Sequence, residues 1–234
     1  MRIMTFNTQH CMNFYTEEID FPSMAEEIKK YNPDIVGLNE IRGKGTHHEY
    51  EEQTQILSGL TGIDNFYFAK AIEFEGSNPY GNAFLSKFAI VSAETIIVPD
   101  PQPKMYDGYY ETRCLLKVKL ENGFTVLVIH FGLNRDEQQN AVETVLKNLE
   151  GEKCILMGDF NAEPEDDILI PIREKMKDTV CMADGDSFTF PSDNPVQKID
   201  YIFVSQDIEV ISAKVSDSVA SDHRAYIAEI SMEG

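Results

Sequence analysis

Six places in this chain put a metal-binding or proton-transferring side chain at or beside an apolar run. Asn7 follows RIMTF, Glu40 follows DIVGLN, His130 follows FTVLVI, Asp159 and Asn161 follow CILMG, and Asp222 with His223 precede RAYIAEI; Asp200 lies inside KIDYIFVS. Strand ends meet the rim of a sheet, where loops converge and a site can form. Alternation sends Asp159 and Asn161, which flank Phe160, to one face. Taken singly, several have plainer readings: Asn7 as a turn or cap residue, His130 as a satisfied core histidine, Asp222-His223 as a turn or helix cap. Together they supply oxygen and nitrogen donors without a serine or cysteine nucleophile signature or a glycine-rich phosphate loop. That combination points to metal-assisted hydrolysis, in which a cation and fixed bases activate water.

Such residues can meet only if the strands that carry them end together. RIMTFN alternates and begins almost at Met1, so it is expected inside a sheet. A helix is expected from near Ser23 to Tyr31, capped by Asp20 or Ser23 and stopped by Pro33, with DIVGLNEI as the next strand. A helix over Tyr50 to Leu60 precedes three strand runs, FYFAKAI, NAFLSKF and ETIIVP. TRCLLKVKL and FTVLVIHF flank Glu121-Asn122-Gly123 and predict a hairpin. Helices over Gln138 to Leu149 and Asp166 to Met176 surround the buried strand KCILMGDF, and KIDYIFVS, IEVISAKV and AYIAEI follow. About eleven strands with hairpins and only four helices predict an α/β (α+β) fold of two packed mixed sheets with helices outside, rather than a doubly wound parallel sheet. No linker, composition shift or internal repeat divides the chain, so one domain over residues 1–234 is expected.

Forty acidic against twenty basic residues give a formal charge of −20, a field that repels polyanions on average. A bound divalent cation can invert that sign locally. No run of about 18 apolar residues occurs, so no membrane span is expected. No basic, apolar leader is visible, and a cytoplasmic location is the expectation. The four cysteines, at 11, 114, 154 and 181, form no C-x-x-C pair and read as buried free thiols.

The motifs TFNTQ, DIVGLNEI, YGNAFLSKF, VIHFGLNRDEQQ, LMGDFNAEP, KIDYIFVS and SDHRAYI stand in an order that resembles the endonuclease/exonuclease/phosphatase (DNase I-like) superfamily of magnesium-dependent phosphoesterases, across nearly the whole chain. The resemblance implies a four-layer sandwich of two β-sheets flanked by helices. It implies Glu40 as the principal carboxylate for Mg2+, or Mn2+ in its place, with Asn7 beside it and Asp222 adjacent. It implies Asp159 as the residue that orients or deprotonates water, Asn161 as its amide partner, and His223 at the scissile phosphate paired with Asp200. His130 matches a second histidine that donates to phosphate oxygens. These assignments imply in-line attack of water without a covalent intermediate.

For the substrate, the FAKAIEFEGSNPYGNAFLSKFAI region is more similar to the superfamily's bacterial metal-dependent hydrolases than to its repair endonucleases. Asn82 stands where several DNA-cutting relatives carry a carboxylate that holds the histidine corresponding to His130. Arg113, two residues after Glu111, reads either as a phosphate clamp or as a surface ion pair, and His10 as a cleft residue or a loop position. The stretch Pro99 to Tyr110 reads either as a substrate-facing loop or as core-packing aromatics. With no basic stripe and no tryptophan, a small-molecule or lipid-headgroup phosphoester is expected as substrate. A DNA or RNA nuclease is the alternative, and a non-catalytic binding module with a relic site the third reading. No protein partner is expected.

Overall fold

The computed structural model describes residues 1–183 and 185–232, and apolar runs form its strands. In chain order these are β1 (Arg2–Asn7), α1 (Phe21–Tyr31), β2 (Ile35–Arg42), α2 (Gln53–Thr61), β3 (Asn65–Phe74), β4 (Asn78–Ser86), β5 (Ile90–Ile97), β6 (Cys114–Leu120) and β7 (Thr125–His130). There follow α3 (Arg135–Asn148), β8 (Cys154–Asp159), α4 (Ile170–Arg173), β9 (Met176–Asp178), β10 (Asp200–Ser205), β11 (Val210–Val215) and β12 (Tyr226–Ile230). They make two six-stranded sheets, ordered β11-β12-β1-β2-β4-β3 and β5-β6-β7-β8-β10-β9. Each sheet is mixed, with one central parallel pair, β1 with β2 and β7 with β8, among antiparallel neighbours.

The sheets pack face to face. Ile3, Ile35 and Phe84 of the first meet Leu116, Val128, Met157 and Ile202 of the second in one buried cluster. The outer face of the first sheet, through Met4, Val36 and Leu38, lies under Met24, Ile28 and Leu57 of α1 and α2. That of the second, through Leu127, Leu156 and Phe203, lies under Ala141 and Val145 of α3. The result is a four-layer α/β sandwich. Because both faces of each sheet's centre are covered, the central strands read as continuous apolar runs rather than clean alternation.

Local chemistry sets most boundaries. Asp20 caps α1 by accepting from the Ser23 amide at 3.1 Å, and Pro22 sits in the first turn, where a missing N–H costs nothing. The third helix starts at Arg135 rather than Gln138, because the Glu137 carboxylate reaches back to the Asn134 amide at 3.2 Å. The second starts at Gln53 rather than Tyr50. The helix expected over Asp166 to Met176 is instead a 3-10 turn, Asp167–Leu169, the single turn of α4, and β9 beginning at Met176. Pro171 restricts continuation across that junction, and β9 gains backbone pairing with β10, adding a twelfth strand among the described residues. Cys11, Cys114 and Cys154 are buried thiols, whereas Cys181 is exposed.

Candidate active site

The site residues meet because of strand register. On the second sheet His130, Asp159 and Asp200 stand side by side across β7, β8 and β10. On the first, Asn7 pairs with Asn39 across the parallel β1 and β2. One residue on, β2 bulges away from β4 between Leu38 and Ile41, and Glu40 takes a left-handed φ of 59°. A bulge re-aims a side chain, and here it turns the Glu40 carboxylate to Asn7. Gly158 lets β8 come close to β7: at its φ of 142°, a Cβ would lie 1.8 Å from the Ile129 carbonyl oxygen. The next residue is Asp159.

Two asparagines stitch the sheets together at this rim. The Asn7 amide nitrogen donates to Glu40 Oε1 at 3.1 Å and to Asp159 Oδ2 at 3.0 Å, while its oxygen accepts from the Gln9 amide. Asn39, fully buried, accepts from the Asp159 amide and donates to Asn82 Oδ1 and the Ile129 carbonyl. Asp159 Oδ1 accepts from the Asn161 amide at 2.9 Å. His223 Nδ1 lies 2.8 Å from Asp200 Oδ2, its Nε2 lies 3.7 Å from Asp159 Oδ2, and the Phe190 ring packs on the imidazole.

His130 Nδ1 lies 3.2 Å from Arg113 Nη1, and Arg113 is ion-paired with Glu111. The guanidinium stands at Nδ1 and the Asn161 side-chain nitrogen, another donor, at 3.2 Å from Nε2, and a neutral ring accepts at only one of the two. Nε2 also lies 3.4 Å from Asp159 Oδ2.

Electrostatics separate the two histidines. Burial, the Arg113 cation and His223 together hold His130 well below the usual histidine range, so it stays neutral. Burial also opposes a cation at His223, but Asp200, Asp159 and Asp222 outweigh it and raise its pKa to about 10. Burial raises Asp159, against the pull of His223. The result is a carboxylate basic enough to take a proton beside an imidazolium that holds its own. Burial raises Asp222 as well, with Glu40 and Asp200 adding repulsion.

Glu40, Asp159, Asp200 and Asp222 gather negative charge that a hard divalent cation would relieve, and Asp200 Oδ1 is buried with no hydrogen-bond partner. Asp159, Asp200 and His223 place donor atoms within 4.8 Å of one another, and with His223 protonated the carboxylates are the groups that would hold a metal ion. The donor set therefore fits a divalent metal. Asn7, expected beside the metal, has its oxygen taken by Gln9 and turns its N–H groups to the carboxylates. His10 Nδ1 lies 4.0 Å from Glu40 Oε2; burial and Arg42 lower its pKa to about 4, leaving a neutral ring.

Asn82 does not hydrogen-bond to His130; it accepts from Asn39 and donates to the Cys114 carbonyl. Arg113 is an ion pair, but an inward one, with its guanidinium on the site histidine. The core-packing reading of Pro99 to Tyr110 does not hold for Met105, Tyr106 and Tyr109, which are exposed, while Tyr110 anchors the segment through its hydroxyl to Asp136. Sequence reading passed over Asn39, Tyr80 and Lys198. Asn39 sits inside an apolar run, where a polar residue with no visible partner was the available signal. Tyr80 lines a small cavity with Asn82, Arg113 and His130, and burial followed by the Glu40 charge pushes its hydroxyl pKa well up.

The profile of the Endonuclease/Exonuclease/phosphatase family matches residues 4–223, and the chain belongs to that family. It is an enzyme of the phosphoester-hydrolase class that the family comprises. Solved structures share the fold. Among them, a mannosyl-6-phosphatase of Bacteroides thetaiotaomicron is 17% identical, with 99% of each chain covered and a TM-score of 0.78. An endonuclease/exonuclease/phosphatase family protein of Leptotrichia buccalis is 20% identical, again with 99% of each chain covered and a TM-score of 0.75. The human Nocturnin catalytic domain with bound sulfate is 19% identical over 99% of this chain and 93% of its own, at TM-score 0.70. The search of curated proteins gives no match.

Proposed function

We propose that this protein is a magnesium-dependent phosphoesterase that hydrolyses a small soluble phosphoester by direct attack of water. The observation that carries the reading is the continuous network Glu40–Asn7–Asp159, with the His223–Asp200 pair beside it. Asp159 takes the proton of the attacking water while Asn7 and the Asn161 amide fix its carboxylate. His223, kept cationic by Asp200, offsets charge that builds on the phosphoryl oxygens, and His130 donates to one of them. Glu40 and Asp222 are the carboxylates to hold magnesium, with manganese as its substitute. A bound metal supplies Lewis-acid stabilisation of the phosphoryl oxygens.

A small substrate is favoured over nucleic acid by the charge of −20 and by the Arg113 guanidinium being already tied to Glu111. The likeness to a mannosyl-6-phosphatase supports the same choice. The test is turnover of bis-p-nitrophenyl phosphate, p-nitrophenyl phosphate, plasmid DNA and RNA by wild type and Asp159→Asn, with EDTA, Mg2+ or Mn2+. Metal-dependent cleavage of the small esters is expected, reduced about 10²- to 10⁴-fold in the variant. Equal turnover by the variant, or activity in EDTA, rejects the mechanism. DNA or RNA as the fastest substrate rejects the substrate class.

A further inference from the structure

A cavity of about 420 Å3 opens directly beside His223 and Asn161 and has no role in the water-activating network. That volume lies at the small end of the roughly 300–1,000 Å3 range of small-molecule pockets. Leu133 and Phe190 form apolar walls, and Glu163, Asp166 and Gln197 form the polar one. Among the described residues no lysine or arginine lines it. Arg135, the partner of Asp166, is committed to that carboxylate and to Asp167.

Hydrogen bonds order the polar wall, whose Glu163 is exposed. An isolated antiparallel bridge joins Phe190 to Gln197, each amide donating to the other's carbonyl, at 3.1 and 2.9 Å. The Gln197 side-chain amide then donates to Glu163 Oε1 at 3.0 Å, and Asp166 accepts from the Ile168 amide at 3.0 Å. Each carboxylate keeps a second oxygen that can accept from a hydroxyl. The Phe190 ring, whose centre stands 4.8 Å from that of His223, ties the wall to the reacting end.

Fixed carboxylates beside an aromatic face recognise neighbouring hydroxyls on one side and C–H groups on the other, and they repel a second phosphate. From this we infer, building on the proposed phosphoesterase function, that the cavity is a subsite for the organic part of the substrate and that this part is a single uncharged sugar-sized polyol. Nucleotides and multiply phosphorylated polyols are turned away by Glu163.

The test compares kcat/KM for a hexose 6-phosphate, phenyl phosphate and a dithymidine phosphodiester in wild type, Gln197→Leu and Glu163→Lys, each checked for native circular dichroism. Wild type should prefer the hexose ester over phenyl phosphate by tenfold or more. Gln197→Leu should cut that preference about tenfold, and Glu163→Lys should shift selectivity toward the dinucleotide. A wild type without the preference, or variants that leave the ratios where they were, overturns the subsite while the phosphoesterase reading stands. If none of the esters turns over with Mg2+ or Mn2+, the functional reading fails. The subsite is then judged alone by saturation-transfer NMR with hexose 6-phosphate in EDTA. Saturation transfer to the sugar protons in wild type that disappears in Gln197→Leu upholds it, and no transfer in wild type overturns it.

Discussion

Lys198 has its ammonium buried, with the nitrogen 3.1 Å from the Asp200 carbonyl and 3.3 Å from the centre of the Tyr201 ring. Burial lowers its pKa from 10.5 to about 8, against the pull of Asp178 and Asp200. Between those two values the unfolded chain holds a proton that the folded chain releases, so this group makes stability rise with pH across that window. In urea titrations, the difference between wild type and Lys198→Met should be flat below pH 8. It should then move in favour of wild type by at most about 1.4 kcal/mol per pH unit up to pH 10.5. A difference independent of pH contradicts the burial argument. Lys198 also marks a limit of sequence reading, since KIDYIFVS discloses the apolar run but not that its first residue tucks under the aspartate two places on.

Among the elements, the strands that carry the site were legible and the irregularities that aim it were not. RIMTFN, DIVGLNEI, FTVLVIHF and CILMGDF announce themselves by apolar content, and their polar ends identify the rim. The bulge that turns Glu40 inward leaves no trace in DIVGLNEI, because it is a misfit of register between two strands rather than a property of either. The short turns at residues 167–173 likewise show the buried periodicity of a helix without its length. Gly158 can be tested directly. Alanine there meets the Ile129 carbonyl and must push β8 from β7, so Gly158→Ala should lose several kcal/mol of stability, read from the urea midpoint, or lose most activity through a displaced Asp159. A variant with wild-type stability and turnover shows that the parallel pair can open without cost.

For the molecule as a whole, the charge of −20 and the carboxylates gathered at the rim work in the same direction. Self-repulsion weakens the metal-free protein, and a cation at the rim relieves the densest part of it. Magnesium at about 100 times its dissociation constant should stabilise the fold by about 2.7 kcal/mol, visible as a rise in Tm at constant ionic strength. Glu40→Gln should remove most of that rise; an equal rise in the variant places the ion elsewhere.

The two sheets also differ in how the chain is spent on them. The second is made from one unbroken stretch, from Ile90 to Ser205, whereas the first is begun by β1 to β4 and finished only by β11 and β12. As the chain leaves the ribosome, the second sheet can close while β1 still lacks its β12 neighbour. His223 lies just before that last strand. The nascent chain therefore carries Glu40, His130, Asp159 and Asp200 before His223 is made, and completes the site only when the final strand slots in beside β1.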